Sequence, residues 1–324
     1  MRKIERRKSN ELLKVVSISS QCENYQDPIV MADLSLASIS ERCHKIAWSY
    51  LQIEKPSSKI IRETQDAIKL TQKLLLNDIF PRWSPFNGEI SFSYNGGKDC
   101  QVLLIIYLGC LWEYYKTSTN AQQFPLQTLK AVFIDQDKTF QTLEQFVETT
   151  KKRYCLSLYE SDRNNNKNLS MPEAFHRYLG DQPETKAVVV GIRYADPFAQ
   201  DLKPIQRTDD GWPDFLRLQP LLHWKLAYIW SFLLYSGEPI CGIYSVGFSS
   251  LGDINHTLPN PHLAKTKDLP LRYEWEIAHG CKGVVNCSPL SSKDSHFQND
   301  EYFPGWYLLD DSLERCGRAK KNKT

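Results

Sequence analysis

Residues 89–104 read Glu-Ile-Ser-Phe-Ser-Tyr-Asn-Gly-Gly-Lys-Asp-Cys-Gln-Val-Leu-Leu. Ile90, Phe92 and Tyr94 alternate with Ser91 and Ser93, which is the period of a strand. Asn95, Gly96 and Gly97 follow as a turn, where glycine permits positive φ and lets backbone approach a ligand closely. From Lys98 the chain is apolar over a helical length. Strand, glycine turn and helix start together aim backbone N–H groups and the positive end of a helix at a phosphate. Two adjacent glycines alone would mean no more than a tight turn. Asn95 before them and Lys98-Asp99 after them move the reading to phosphate binding.

The same periodicities extend outward. Strands are expected at 130–135, 155–159 and 186–191, the last a continuous β-branched run suited to the middle of a parallel sheet. Helices are expected over 98–115 and 139–153, and Ser170 with Glu173 forms a capping box with Pro172 at the start of another. Alternating strands and helices predict an α/β fold, a parallel twisted sheet with helices on both faces. Ligands bind such sheets at the C-terminal ends of the strands, so the loops after Tyr94, Ile134 and Gly191 should share a crevice. Residues 1–28 read as a polar arm and 29–86 as an N-terminal helical layer, with amphipathic helices over 34–53 and 58–77. Residues 87–200 form the expected nucleotide-binding core. Residues 201–324 are rich in proline and read as a loop-rich part laid over the strand ends, except for a Trp- and Leu-rich helix over 223–235 stopped by Gly237.

Composition narrows the classes. The chain has 324 residues, 41% hydrophobic and 24% charged, enough for a packed core. A net charge of +2 gives no reason to expect a nucleic-acid partner. No stretch is long and apolar enough to span a bilayer, and the basic start lacks the apolar run of a secretory signal. The nine cysteines include no C-x-x-C pair, which argues against zinc or thioredoxin-like chemistry. A monomer with reduced thiols in the cytoplasm is expected.

Several stretches carry candidate chemistry. Lys98 can hold a phosphate as a point charge. Asp99 lies in a first helical turn, where the helix dipole alone would favour it, but beside a triphosphate it can ligate Mg²⁺. Gly191-Ile-Arg-Tyr-Ala-Asp-Pro197 leaves a strand directly and aims Arg193 and Asp196 at the crevice. In 208–224, Trp212 and Phe215 offer flat surfaces, Asp209 and Asp210 acceptors and Arg217 a donor fork, a set suited to a planar heteroaromatic ring. Residues 244–252 and 256–261 form a Gly/Ser/Pro loop, either a phosphate nest or a long surface loop. Arg315 and Arg318, three apart, would share a helical face as an anion clamp, while Lys320, Lys321 and Lys323 read as a plain basic tail.

Together these blocks resemble yeast-type FAD synthases, a family within the PAPS-reductase-like pyrophosphate-loop group. The resemblance rests on N-G-G-K-D at 95–99, G-I-R-Y-A-D-P at 191–197, D-G-W-P at 210–213 with L-R-L-Q-P-L-L-H-W at 216–224, the 244–261 loop and L-E-R-C-G-R at 313–318. It implies an adenine nucleotide α-hydrolase-like fold and the reaction of FMN with MgATP to give FAD and pyrophosphate. Carried over by position, it implies a catalytic set of Asn95, Asp99, Asp196, Arg315 and Arg318. It places ATP against Ser93, Tyr94, Gly96, Gly97, Lys98, Asp135, Gly191 and Arg193, and the flavin against Asp209, Trp212 and Arg217. His223 stands where the family more often has Asp. Cys316 in E-R-C-G-R is near the E-C-G-x-H nucleophile block of thiol-dependent sulfonucleotide reductases, but the extra Arg and missing His disfavour that alternative, and intact Lys98, Asp99 and Arg315 disfavour an inactive binding protein.

Overall fold

The apolar run that begins at Lys98 becomes a helix so thoroughly enclosed that every residue from Cys100 to Leu111 is buried. The structure is a computed structural model that describes residues 35–54, 58–118, 121–134, 138–161, 170–266, 285–299 and 301–319. Its order is α1 (Leu36–Leu51), α2 (Lys59–Lys73, continued as a π-helical turn over Leu74–Ile79), β1 (Ile90–Ser93), α3 (Lys98–Ser118), β2 (Leu129–Phe133), α4 (Gln141–Arg153), β3 (Leu156–Glu160), α5 (Met171–Asp181), β4 (Ala187–Val189), β5 (Ile205–Arg207), β6 (Leu216–Leu218) and α6 (Leu226–Ser236). The capping box at Ser170 and Glu173 forms as expected. Gly237, at φ 66°, ends α6 in the left-handed conformation that glycine adopts without a Cβ clash.

The strands form a six-stranded sheet in the order β3-β2-β1-β4-β6-β5. All neighbours are parallel except β5 and β6. Alternation splits the strands between two apolar clusters. Ile90, Phe92, Ala131, Ala187, Val189 and Leu218 face α3, α4 and the two N-terminal helices. Val132 and Val188 face Phe175 and Tyr178 of α5. Each large side chain fully buried this way stabilises the fold by about 1.5–3 kcal/mol. The chain changes faces between β3 and β4, so the strand order reverses beside β1. That switch point lies between the loop leaving β1 and the loop leaving β4, the two loops that carry the glycine turn and Arg193.

Two strands were not expected from sequence. Leu216–Leu218 extends the parallel sheet beyond β4 and Ile205–Arg207 caps it antiparallel. Each is three residues long, with Pro204, Pro213 and Pro220 close by, so neither shows a readable alternation. Their pairing also revises the view that the whole C-terminal third covers the strand ends. Arg207 pairs with Leu216, which pairs with Ala187. The 208–215 connection therefore leaves from the end of the sheet where β4 starts, opposite the glycine turn.

Candidate active site

Gly96 has φ 74°, and a Cβ there would stand 2.7 Å from Leu143 Cδ1 on α4. Conformation and space both demand glycine. The Asn95 carboxamide accepts the Gly97 N–H at 2.9 Å, and the Tyr244 hydroxyl accepts the Lys98 N–H at 3.1 Å. Gly191 is close-packed for a different reason. A Cβ there would meet the Cys100 backbone N at 3.2 Å, so the exit of β4 lies directly on the first turn of α3. This approach brings Arg193 to Asp99.

A buried charge cluster results. Arg193 is 1% exposed. Its Nε stands 2.6 Å from Asp99 Oδ1, its Nη1 donates to Asp311 Oδ1 at 2.7 Å and its Nη2 donates to Glu314. Despite their closeness, Arg193 Nε and Asp99 Oδ1 make no aligned hydrogen bond among the described residues. The Lys98 ammonium reaches Asp99 Oδ2 at 3.1 Å and also donates to Glu314. Asp196 Oδ2 accepts the backbone N–H of Arg193 at 2.9 Å. Asp311 Oδ1 also accepts the N–H of Leu226, tying the cluster to the start of α6.

Burial and charge compete at each group. Burial works against ionised Lys98 and Arg193, but Asp99 and Glu314 outweigh it and raise both above their ordinary values. Burial would raise Asp99, yet Arg193 and Lys98 overcome it and hold this carboxyl below its usual range. Asp196 goes the other way: burial, then the charge of Asp99, raise it. Cys100 is pushed up to about 12 by burial and Asp99, so its thiol is no nucleophile.

The 311–318 segment differs from its expected helix. Asp311–Leu313 is a 3₁₀ turn and residues 314–317 continue as turn. Arg315 is exposed. Arg318 turns back to pair across Thr257, its Nε donating to Ser250 Oγ at 3.0 Å. The two guanidiniums therefore do not share a helical face. Gly317 lies close against the other strand of this bridge: a Cβ there would stand 2.4 Å from the Leu258 carbonyl oxygen, and the Gly317 carbonyl accepts the Leu258 N–H at 2.9 Å. In the 244–261 loop, residues 246–250 are buried and Leu258 is exposed. Ser249 donates to the Glu314 carbonyl at 2.6 Å, and Asn260 donates to Ser249 Oγ and the Leu313 carbonyl, both at 2.8 Å.

Other expected residues fall as follows. Ser93 ends β1 and is half-buried. The Tyr94 side chain is a correction: it is fully buried with its hydroxyl on Gln101, so it faces the core and not a phosphate. The Lys98 ammonium is 2% exposed and committed to carboxylates instead of an open crevice. Asp135 lies outside the described residues. Asp209, Trp212 and Arg217 form a second group at the β5–β6 connection. Arg217 holds the Asp209 carboxylate at 3.0 and 3.1 Å, Trp212 leans on Phe175 at 5.8 Å between centroids, and Arg217 Nε is buried without a hydrogen-bond partner among the described residues. Phe215 is core, stacked on Phe175. Sequence reading overlooked Asp311, Glu314 and Tyr244. Glu314 belongs to the 313–318 block and Tyr244 to the 244–261 loop, but nothing in a linear pattern shows that a carboxylate 216 residues from Lys98 is its partner.

A phosphoadenosine phosphosulfate reductase domain matches residues 89–259. Flavin adenine dinucleotide synthase of Saccharomyces cerevisiae is 55% identical over 306 residues, covering 89% of this chain and 100% of that protein. The chain belongs to the FAD synthase family. Candida glabrata FMN adenylyltransferase in complex with FAD and inorganic pyrophosphate superposes with a TM-score of 0.82 at 53% identity, over 88% of this chain and 100% of that one. The same enzyme in complex with FMN and the ATP analogue AMPCPP superposes with a TM-score of 0.81 at 54% identity, over 89% and 99%. The family is the one the motifs resembled, and the mostly parallel sheet is its fold.

Proposed function

We infer that this chain is an FMN adenylyltransferase: it moves the AMP moiety of MgATP to the phosphate of FMN, giving FAD and pyrophosphate. The observation that carries this reading is Asp99 in the first turn after Gly96-Gly97, clasped by Lys98 and Arg193 at the topological switch point. Likeness over 88% of this chain to a structure holding FAD and pyrophosphate supports the substrate class.

The FMN phosphate oxygen is already anionic near neutral pH, so attack on the α-phosphorus needs no strong general base. Catalysis rests on bringing anions together and spreading the developing charge. We assign Asn95 to fixing the turn, and the 96–97 backbone with Gly191 and the exit of β1 to the ATP phosphates. Lys98 and Arg193 set the potential around them, and Asp196 holds the backbone at Arg193. Arg315 and Arg318 neutralise charge at the reacting phosphates. By the family resemblance Asp209, Trp212 and Arg217 are assigned to the flavin ring, although their hairpin turns at the end of the sheet away from the glycine turn.

Mg²⁺ enters as part of the nucleotide substrate. Within the buried cluster Lys98 and Arg193 are already paired with Asp99, Asp311 and Glu314, so they have little charge to spare for a triphosphate, and Mg²⁺ would offset part of its charge. Asp99 is the carboxylate that would hold Mg²⁺ between protein and phosphate, in exchange for part of its pairing with Arg193 and Lys98.

We keep 87–200 as the nucleotide-binding core, 201–324 as the flavin-binding and catalytic part, 29–86 as the helical layer and 1–28 as the arm. A cytoplasmic monomer is proposed with them, and no helix among the described residues is long and apolar enough to cross a membrane. Against the thiol reductase, the 55% identity to a flavin adenine dinucleotide synthase runs over 89% of this chain. The test is to mix the protein with FMN, ATP and Mg²⁺ and follow FAD by chromatography. FAD formation supports the reading, and its absence together with absent FMN binding defeats it.

A further inference from the structure

Beneath the glycine turn runs a line of polar side chains that the transfer chemistry leaves unused. The Tyr94 hydroxyl donates to Gln101 Oε1 at 2.7 Å. Gln101 Nε2 donates to the Tyr154 hydroxyl at 3.0 Å, and Tyr154 donates to Glu238 Oε2. Glu238 also accepts from Arg153 Nε at 2.8 Å and pairs with Arg42 at 3.4 Å. Tyr94, Gln101, Tyr154 and Glu238 are all buried. Every link donates in the same direction, toward the carboxylate, the arrangement in which successive hydrogen bonds polarise one another.

The line is fastened at consequential points. Tyr94 immediately precedes Asn95. Gln101 accepts from Tyr94 with its side chain and donates its backbone N–H to the Gly97 carbonyl at 2.9 Å. One residue thus ties the strand entering the turn to the turn itself. At the far end, Tyr154 is the C-cap of α4, and Glu238 follows the Gly237 cap of α6. The relay therefore binds the start of α3 to the ends of α4 and α6.

Stability alone is a poor reason for such a device. A carboxylate beside two helix C-termini opposes both dipoles. Taking it out of water is unfavourable, paired arginines offset that incompletely, and an apolar plug would fill such space with less penalty. We propose that Glu238, Tyr154 and Gln101 are positioning residues that hold the 95–99 turn in register for in-line attack. The proposal rests on the adenylyl-transfer reading.

The test uses the full chain carrying Tyr154→Phe, which deletes one oxygen, and Gln101→Met, which keeps the length of the side chain. Circular dichroism and thermal melting establish folding, and steady-state kinetics give kcat and KM for FMN and ATP. Misplacement of the turn lowers kcat about 10- to 100-fold, while the KM for FMN, whose ring is held elsewhere, stays near that of the parent. Glu238→Gln, which keeps an acceptor for Tyr154, retains more kcat than Glu238→Leu. Should Gln101→Met fail to fold, Tyr154→Phe still decides. A folded Tyr154→Phe protein with parental kcat, whatever its melting temperature, overturns the proposal. A parent protein that makes no FAD defeats the activity reading instead.

Discussion

The Arg193 guanidinium donates to the carboxylate of Glu314, 121 residues further along the chain, and the same carboxylate accepts from Lys98. This one side chain joins the loop after β4, the first turn of α3 and the C-terminal segment. Removing one partner from a buried ion pair strands the other charges, so Glu314→Ala should lose about 3–5 kcal/mol of stability. Urea denaturation measures it. A loss no larger than that of a surface substitution would mean that Glu314 does not hold these elements together.

Asp99 is the group on which the phosphate chemistry converges. Asp99→Asn keeps shape while removing the charge, and turnover should fall about a hundredfold or more, with FMN affinity little changed. Initial rates and FMN fluorescence titration separate the two. Parental turnover in the folded variant would take Asp99 out of the mechanism.

Asp196 should give opposite signs to activity and stability. Burial and the charge of Asp99 raise its folded pKa above the unfolded value. Its contribution to stability is thus full below the unfolded value and lost as pH rises through the folded one. Asp196→Asn should therefore be more stable than the parent at pH 7, with the advantage shrinking as the pH is lowered, and less active because the Arg193 backbone loses its charged acceptor. Denaturation at several pH values tests the first claim and initial rates the second.

Much of this was legible in the chain. The alternation through 90–94 and the glycine pair identify β1 and its turn, and the capping box at Ser170 and the stop at Gly237 appear where residue chemistry puts them. The site was legible where function demands an unusual residue, as at Gly96. It was illegible where ordinary residues meet across the fold. Glu314 looks like any acidic residue beside an arginine until the tertiary structure seats it on Lys98. Likewise, Arg315 and Arg318 carry helical spacing, but the segment runs as a 3₁₀ turn into a bridge that pairs Arg318 with Thr257, a distant partner the spacing does not show. The three-residue strands β5 and β6 owe their existence to the exposed edge of β4, a property absent from their own sequence.

Space beside Arg318 gives an independent probe of that residue. A Cβ on Gly252 would stand 1.5 Å from Arg318 Nη1. Gly252→Ala should displace the guanidinium and reproduce the kinetic defect of Arg318→Ala, with the double variant no worse than either one. Additive losses, read from kcat/KM, would show that Gly252 acts by another route.

Trp212 is 37% exposed and leans on Phe175, beside the Asp209–Arg217 pair. Trp212→Ala should weaken FMN binding by about tenfold, in keeping with the worth of an aromatic contact, and leave ATP binding unchanged. Calorimetric titration of each ligand separates them, and equal weakening of both would remove the hairpin as a flavin site.

Adenylyl transfer itself is tested most directly with ATP labelled at the α-phosphate. Incubated with FMN and Mg²⁺, the protein should place the label in FAD and release one unlabelled pyrophosphate for each FAD formed. Label released as free AMP or in inorganic phosphate, with no labelled FAD, would contradict the account.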